Sequence, residues 1–441
     1  LVLVGSVAFA SFTGSATTGI GYNMDSGEWG FIEQSTSVTV DVTLLEKVGE
    51  TVGEGDIYAS IKATLDFTFS NADEGSLEDY DELLIGANLD FDHAKVFGDN
   101  WYVSILSAAR AANFATSAID SKELDRADNK LDYANDAKDY YADLRSRDIF
   151  DRVAGIEVGY ADYVLGIGFK GDHIDNDQTD NTVVPAITDY DETGYQAFVS
   201  LQTPDFDLMD GLTAKFGVAG FMQKGPLETS TTTAKADDNA LSAHAKVAYE
   251  DDMTSVSLGF DAIYDDAELD FDVALAASYD IFSLDAYFAT KSWYVHTDDG
   301  FAVSPAAPDK LLSAKVAVDL DPLTVTVTGK DLVNDKDLGV EVGYQLSEEL
   351  LVTVNGGYVI DTKLWSAGAD LEYVTDDYTA KLGGSFNGDD VLAMSASVES
   401  ETLVPGATLK LAWADAKDML EKDADVATKF GKIVASAKIA F

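Results

Sequence analysis

Every arginine of the chain falls within one short stretch: Arg110, Arg126, Arg145, Arg147 and Arg152. Guanidinium keeps its charge at any working pH and can grip two carboxylate oxygens at once, so this cluster suits the holding of fixed positive charge beside anions. The anions come from elsewhere in the chain. Asp66, Glu268, Asp270, Asp272, Asp319, Asp370 and Glu372 sit in the middle of segments where apolar residues recur at every second position. Lys62, His244, Lys246 and Lys315 hold equivalent polar positions. Ionised groups placed this way set an electric field along a polar face, the chemistry of charged rings rather than of bond breaking. If the arginine-bearing stretch folds inward, its cations face those carboxylates across a constriction. If it stays outside, the same arginines pair with Asp120, Glu123, Asp125, Asp128, Asp132, Asp136, Asp139 and Asp143 on a solvated helix. Both readings stay open on the sequence.

Catalysis has little to rest on. The four histidines (His93, His173, His244, His296) occupy unrelated contexts, and neither a His-Glu-x-x-His helix nor a Gly-x-Ser-x-Gly elbow occurs. His244 beside Ser242 on a polar face is the one hint. There is no cysteine for a thiolate site or a disulfide. Asp265-Asp266 and Asp298-Asp299 are acidic pairs without the spacing of a calcium loop. The expectation is a protein that is not an enzyme and needs neither metal nor cofactor.

The elements that position these groups read as strands. In Gly55–Phe69, Ile57, Ala59, Ile61, Ala63, Leu65, Phe67 and Phe69 share one face, while Tyr58, Ser60, Lys62, Thr64, Asp66 and Thr68 share the other. That run spans ~40 Å at ~3.3 Å per residue, the reach of a tilted strand crossing a bilayer. The same device recurs around Leu241–Tyr249, Leu269–Leu275, Leu312–Leu320, Leu323–Lys330 and Trp365–Tyr373. Aromatic residues cluster near strand ends, among them Trp101, Tyr102, Tyr160, Tyr249, Tyr279, Tyr358 and Tyr373, where interfacial girdles belong.

Both ends of the chain fit an exported barrel. Gly431–Phe441 alternates and stops on an aromatic residue, the form of a closing outer-membrane strand. Residues 1–10 read as a signal-peptide remnant ending in Ala8-Phe9-Ala10, which would start the mature protein at Ser11. Connections of one parity are brief: Phe97–Asn100, Ala161-Asp162, Asp251-Asp252, Asp280, Asp321-Pro322, Ser347–Glu349 and Thr375–Asp377. Those of the other parity include long ones over 23–34, 71–81, 108–149, 172–191, 223–239, 291–309 and 414–425. Short periplasmic turns facing long outer loops produce this asymmetry. Residues 109–149 lack alternation. Asp120–Glu123 resembles a capping box, and Leu124, Ala127, Leu131, Ala134, Tyr141 and Leu144 follow at helical spacing.

Composition narrows the class. The net charge of −50 (29 basic, 79 acidic residues) excludes a nucleic-acid binder. It leaves an acidic water-filled channel or a hydrated halophilic all-β protein. No run approaches the ~20 apolar residues of a transmembrane helix.

Two segments carry a family resemblance. Gly53–Ile61, followed by Gly98–Leu106, resembles the N-terminal half of the treponemal major outer sheath proteins and their paralogous repeat-protein family. The resemblance implies a surface-exposed spirochaete outer-membrane barrel that acts as a porin, some members serving also as adhesins. The charge and the arginine cluster have no counterpart in it.

The expected fold is an all-β transmembrane antiparallel barrel over 11–441, of about 20 strands (18–22), with 109–149 as a helical loop insertion. The expected role is a passive porin in the bacterial outer membrane for small hydrophilic solutes and ions, preferring cations. Its partners would be outer-membrane lipid and those solutes, with a homotrimer one arrangement the sequence allows. The alternative is a surface adhesin whose outer loops bind host matrix proteins while the barrel anchors it.

Overall fold

The computed structural model describes residues 7–24, 27–45, 57–71, 83–109, 111–116, 139–141, 153–176, 190–224, 237–265, 268–290, 293–295, 310–330, 332–333, 336–361, 363–388, 392–414 and 431–440. Their dominant feature is one continuous antiparallel sheet. Its strands begin with β1 (Val7–Asn23), β2 (Glu28–Leu45), β3 (Tyr58–Asn71), β4 (Leu83–Phe97), β5 (Trp101–Ala109), β6 (Val153–Tyr160) and β7 (Tyr163–Asn176). They continue with β8 (Tyr190–Gln202), β9 (Leu212–Lys224), β10 (Asp237–Glu250), β11 (Thr254–Asp265), β12 (Glu268–Tyr279), β13 (Phe282–Ala289) and β14 (Leu311–Asp319). The last are β15 (Leu323–Lys330), β16 (Asp337–Gln345), β17 (Leu350–Val359), β18 (Trp365–Val374), β19 (Thr379–Asn387), β20 (Leu392–Val404), β21 (Ala407–Ala414) and β22 (Lys432–Ala440).

Each strand pairs with its sequence neighbours, and β22 returns to β1, from Ser15↔Ala440 to Asn23↔Lys432. The sheet holds 23 strands; the four-residue Phe206–Met209 only folds back on β9, so 22 close the ring. Closure removes every unpaired edge, which is the condition for a sheet to cross hydrocarbon.

Alternation tells the two faces of the wall apart. Leu165, Ile167 and Phe169 are exposed, as are Val199 and Leu201, Phe216 and Val218, Leu258 and Phe260, and Leu338 and Val340. The positions between them are small or polar and in places buried, such as Ser200, Gly217, Gly259 and Asp261. In a closed barrel one of these faces is the exterior and the other lines the interior. A water-soluble domain would bury its large apolar side chains. This one displays them in a band around its outside, the surface that lipid covers.

The two rims differ. Chain ends and the turns after β4, β6, β10 and β12 share one rim. There Ala161 and Asp162 join β6 to β7, both at positive φ, the twist that a two-residue hairpin demands. At the other rim the β5–β6 connection meets the β13–β14 connection: Asp139–Tyr141 pairs with Trp293–Val295. Two expectations are corrected. The outer loop expected over 23–34 is mostly strand, since Asn23 already pairs with Glu28. The helical insertion expected over 109–149 is not seen: residues 111–116 are neither helix nor strand, 139–141 form a strand, and no helix occurs among the described residues. Residues 120–123, the expected helix cap, lie outside the described residues. Val7–Ala10, read from the sequence as a leader remnant, continue β1 opposite Val42–Leu45.

Candidate functional site

Strand register places sequence-distant side chains in one row on the interior face. Gly217 of β9 lies opposite His244 of β10, His244 opposite Asp261 of β11, and Asp261 opposite Asp272 of β12. His244 stands at the centre of a hydrogen-bonded chain. Its Nδ1 is 2.5 Å from Asp261 Oδ1, and its Nε2 is 2.7 Å from the hydroxyl of Ser242, two residues earlier on the same face. All three side chains are buried.

What buries them is the segment that follows β5. After β5 the chain leaves the wall, and residues 111–116 lie against the interior of β8–β11, none of which neighbours β5. Ala111 packs with Phe198, Ala219, Phe221, Ala240 and Ile263. The backbone N–H groups of Phe114 and Ala115 both donate to Asp261 Oδ2, at 2.8 and 2.6 Å. The Phe114 ring meets His244 edge-on, with centroids 6.4 Å apart. Two glycines leave room for this strap. A Cβ at Gly217 would fall 2.7 Å from Ala112 Cβ, and one at Gly259 would collide with the carbonyl oxygen of Phe114.

Ser242, His244 and Asp261 have the bond order of a nucleophile, its base and the acid that orients the base. Their surroundings favour a different use. The second oxygen of Asp261 is committed to the strap, and Ser242 is buried. The backbone around Ser242 is engaged in ladders on both sides, so its own strand offers no N–H pair for an oxyanion. The constellation is a latch. One carboxylate holds two backbone donors, and the His244–Ser242 pair holds the carboxylate.

A second buried group adjoins it. The Tyr287 hydroxyl donates to Asp272 Oδ2 at 2.8 Å. The Thr290 hydroxyl donates to Asp270 Oδ1 at 3.2 Å and accepts from the N–H of Phe271 at 2.9 Å. Lys315 stands opposite Asp285 across β13 and β14. Further round the wall, Asn355 donates to Asp370 at 3.4 Å, and Lys381 lies 3.1 Å from Glu372. Lys62 and Asp66 are half-buried on β3, opposite Asp41 and Ser37. Lys246 lies between Lys215 and Gly259. Glu268 opens β12 opposite Asp265, and Asp319 ends β14 exposed. Arg110, Arg126, Arg145, Arg147 and Arg152 all lie outside the described residues.

Asp261 and Glu157 are missing from the residues singled out by sequence. Glu157 accepts from the Tyr102 hydroxyl at 2.8 Å and lies 3.6 Å from Lys95 Nζ. Period-two reading of Thr254–Asp265 and Val153–Tyr160 would have put both on the polar face; no linear motif ties either to its partners. No three His, Cys, Asp or Glu side chains among the described residues are grouped to hold a metal ion.

No protein-family profile and no curated protein matches the chain. Solved structures match at low identity. The siderophore receptor PirA from Pseudomonas aeruginosa is 11% identical, over 98% of this chain and 80% of that one, with a TM-score of 0.45. The P pilus usher PapC translocation pore is 10% identical, over 98% and 99%, with a TM-score of 0.40. A triple mutant of the Rhodopseudomonas blastica porin is 11% identical, over 98% and 100%, with a TM-score of 0.31. Likeness at this level settles no assignment. Ring closure and the apolar exterior carry that weight, and they make the chain a large β-barrel of the outer-membrane type.

Proposed function

We propose that this barrel is a passive diffusion channel of the bacterial outer membrane for small hydrophilic solutes and ions, preferring cations. The observation that carries the reading is the pairing of an apolar exterior with an interior face bearing Lys, Asp and Glu side chains on strand after strand. A barrel that served only as an anchor would have no use for ionisable residues in mid-wall, where each costs desolvation unless it meets water or a partner. The sequence resemblance to treponemal porins points the same way.

Acidic residues outnumber basic ones by 79 to 29, so fixed negative charge should draw cations inward. Reconstitution in planar bilayers tests both parts. Discrete conductance steps are expected, with a reversal potential under a KCl gradient that favours K⁺. The preference should sharpen on dilution, because the Debye length grows from ~10 Å at 0.1 M to ~30 Å at 0.01 M. Absence of conductance would refute the channel. Conductance with anion preference would refute only the selectivity.

A further inference from the structure

We infer that Ala111–Thr116 is a fixed strap that sets the aperture of the channel, and that Asp261 is the residue that positions it. The inference rests on the channel reading above and adds the element that limits solute size.

Three independent features of the receiving wall match the strap. Gly217 and Gly259 stand where any side chain would meet Ala112 or Phe114. Asp261 presents one carboxylate oxygen to two successive N–H groups of the strap, donors that a segment off the sheet cannot pair through a ladder. Ala111 fills a buried apolar patch built from four successive strands: Phe198, Ala219 with Phe221, Ala240 and Ile263. The strap's own residues suit the role. Ala111, Ala112 and Ala115 allow close approach, and Ala115 is 0% exposed. Shape, hydrogen bonding and apolar burial therefore all select the same docked position for a segment whose parent strand lies elsewhere in the ring. Width occupied by the strap is width withdrawn from the passage. Docking also takes the Asp261 carboxylate out of reach of passing ions.

The test uses the full-length barrel, whose lack of cysteine makes single-cysteine labelling unambiguous. Ala115→Cys is placed in the native background, in Gly259→Val and in Asp261→Ala, and exposed Thr116→Cys serves as the reference. Heat-modifiable gel migration first confirms that each barrel is folded. In the native background, Cys at 115 should react with a membrane-impermeant maleimide far more slowly than Cys at 116. Either release substitution should accelerate labelling at 115 by about 10-fold or more, the scale of losing charge-assisted hydrogen bonds. In planar bilayers both release variants, without the added cysteine, should show higher single-channel conductance and admit larger neutral polymers. Gly259→Val leaves every charge in place, so a rise there reports width alone. Should it fail to fold, Gly217→Val, whose Cβ would meet Ala112, carries the same comparison.

Equal reactivity at 115 and 116 in the native background would overturn the docked strap. Faster labelling with unchanged conductance would overturn the aperture role and leave the channel standing. Absence of conductance in every variant would refute the channel and the aperture with it.

Discussion

The wall from β9 to β13 and the wall from β16 to β21 obey one alternation code and carry acids at equivalent interior positions, yet those acids live differently. On the first wall Asp261 and Asp272 are 2% and 0% exposed, and each accepts from a neutral donor, the strap backbone for one and the Tyr287 hydroxyl for the other. On the second, Glu372 and Glu399 sit 3.1 and 3.7 Å from Lys381 and Lys410, with side chains between 34% and 58% exposed. Strand pattern alone does not produce this difference. It arises because one wall receives a segment from another part of the chain and the other, among the described residues, does not. A buried carboxylate depends on donors from the protein, whereas an exposed one can rely on water. In the proposed channel the open wall would be the one to meet solutes, while the covered wall grips protein.

The largest effect should come from what the two walls share. Leu258 on the covered wall and Leu382 on the open wall are both exposed apolar residues of the outward face. Replacing either with Arg should cost ~2–4 kcal/mol near the bilayer midplane and abolish assembly. Lys381→Glu, one position away on the interior face, should assemble normally. Heat-modifiable migration reads all three. Assembly of the Leu382→Arg barrel would mean that the exposed apolar band does not face lipid, and the division into two interior walls would lose its basis.

A smaller effect separates the walls from each other. Asp261→Ala leaves two strap N–H groups and His244 without their acceptor in a buried setting, a loss on the order of 3 kcal/mol. Glu372→Ala removes one exposed ion pair, worth roughly 0–1 kcal/mol. Denaturation midpoints in detergent should therefore fall clearly for the first and scarcely for the second. Similar shifts would show that burial on the strap side brings no added energetic consequence.

The contrast also marks where the sequence could be read. Period-two alternation is local, so the strands around Leu269–Leu275 or Trp365–Tyr373 are legible from a dozen residues. The strap is not, because what fixes it lies far off: Asp261 is 147 positions beyond Phe114 in the chain. Residues 111–116 show neither strand nor helix periodicity, since their backbone donors are met by one side chain rather than by a ladder. The helical spacing of Leu124–Leu144 suggested a helix for the whole insertion, yet the described residues 111–116 and 139–141 are not helical. His244 was legible as a polar-face residue beside Ser242, but its role was not, because Asp261 completes it from the next strand. Gly217 and Gly259 likewise acquire meaning only once Ala112 and Phe114 are brought against them.

The smallest effect belongs to the rim that holds the β10–β11 turn, where neither wall is privileged. The carboxylate of Asp251 closes the β10–β11 turn. Its Oδ1 accepts from the N–H groups of Met253 and Thr254 at 2.9 and 2.8 Å, and its Oδ2 accepts from the Tyr249 hydroxyl at 2.8 Å. These donors, the Met253 N–H foremost, hold its pKa below the ordinary aspartate value. A carboxylate whose folded pKa is lowered stabilises the fold fully above its unfolded value, ~3.9, and that contribution drains away as pH falls through the lower folded value. Asp251→Asn removes the titration while keeping one acceptor oxygen. The native barrel should therefore hold a small advantage in thermal midpoint at pH 6–7, shrinking as pH drops through ~3.9 and vanishing in stronger acid. Because the turn is fully exposed, the gap at neutral pH should be well below that of Asp261→Ala. An advantage that stays constant with pH would show that the turn is held by shape and not by the charge of Asp251. One as large as that of Asp261→Ala would show that rim and strap are held with equal strength, against the distinction between covered and open regions.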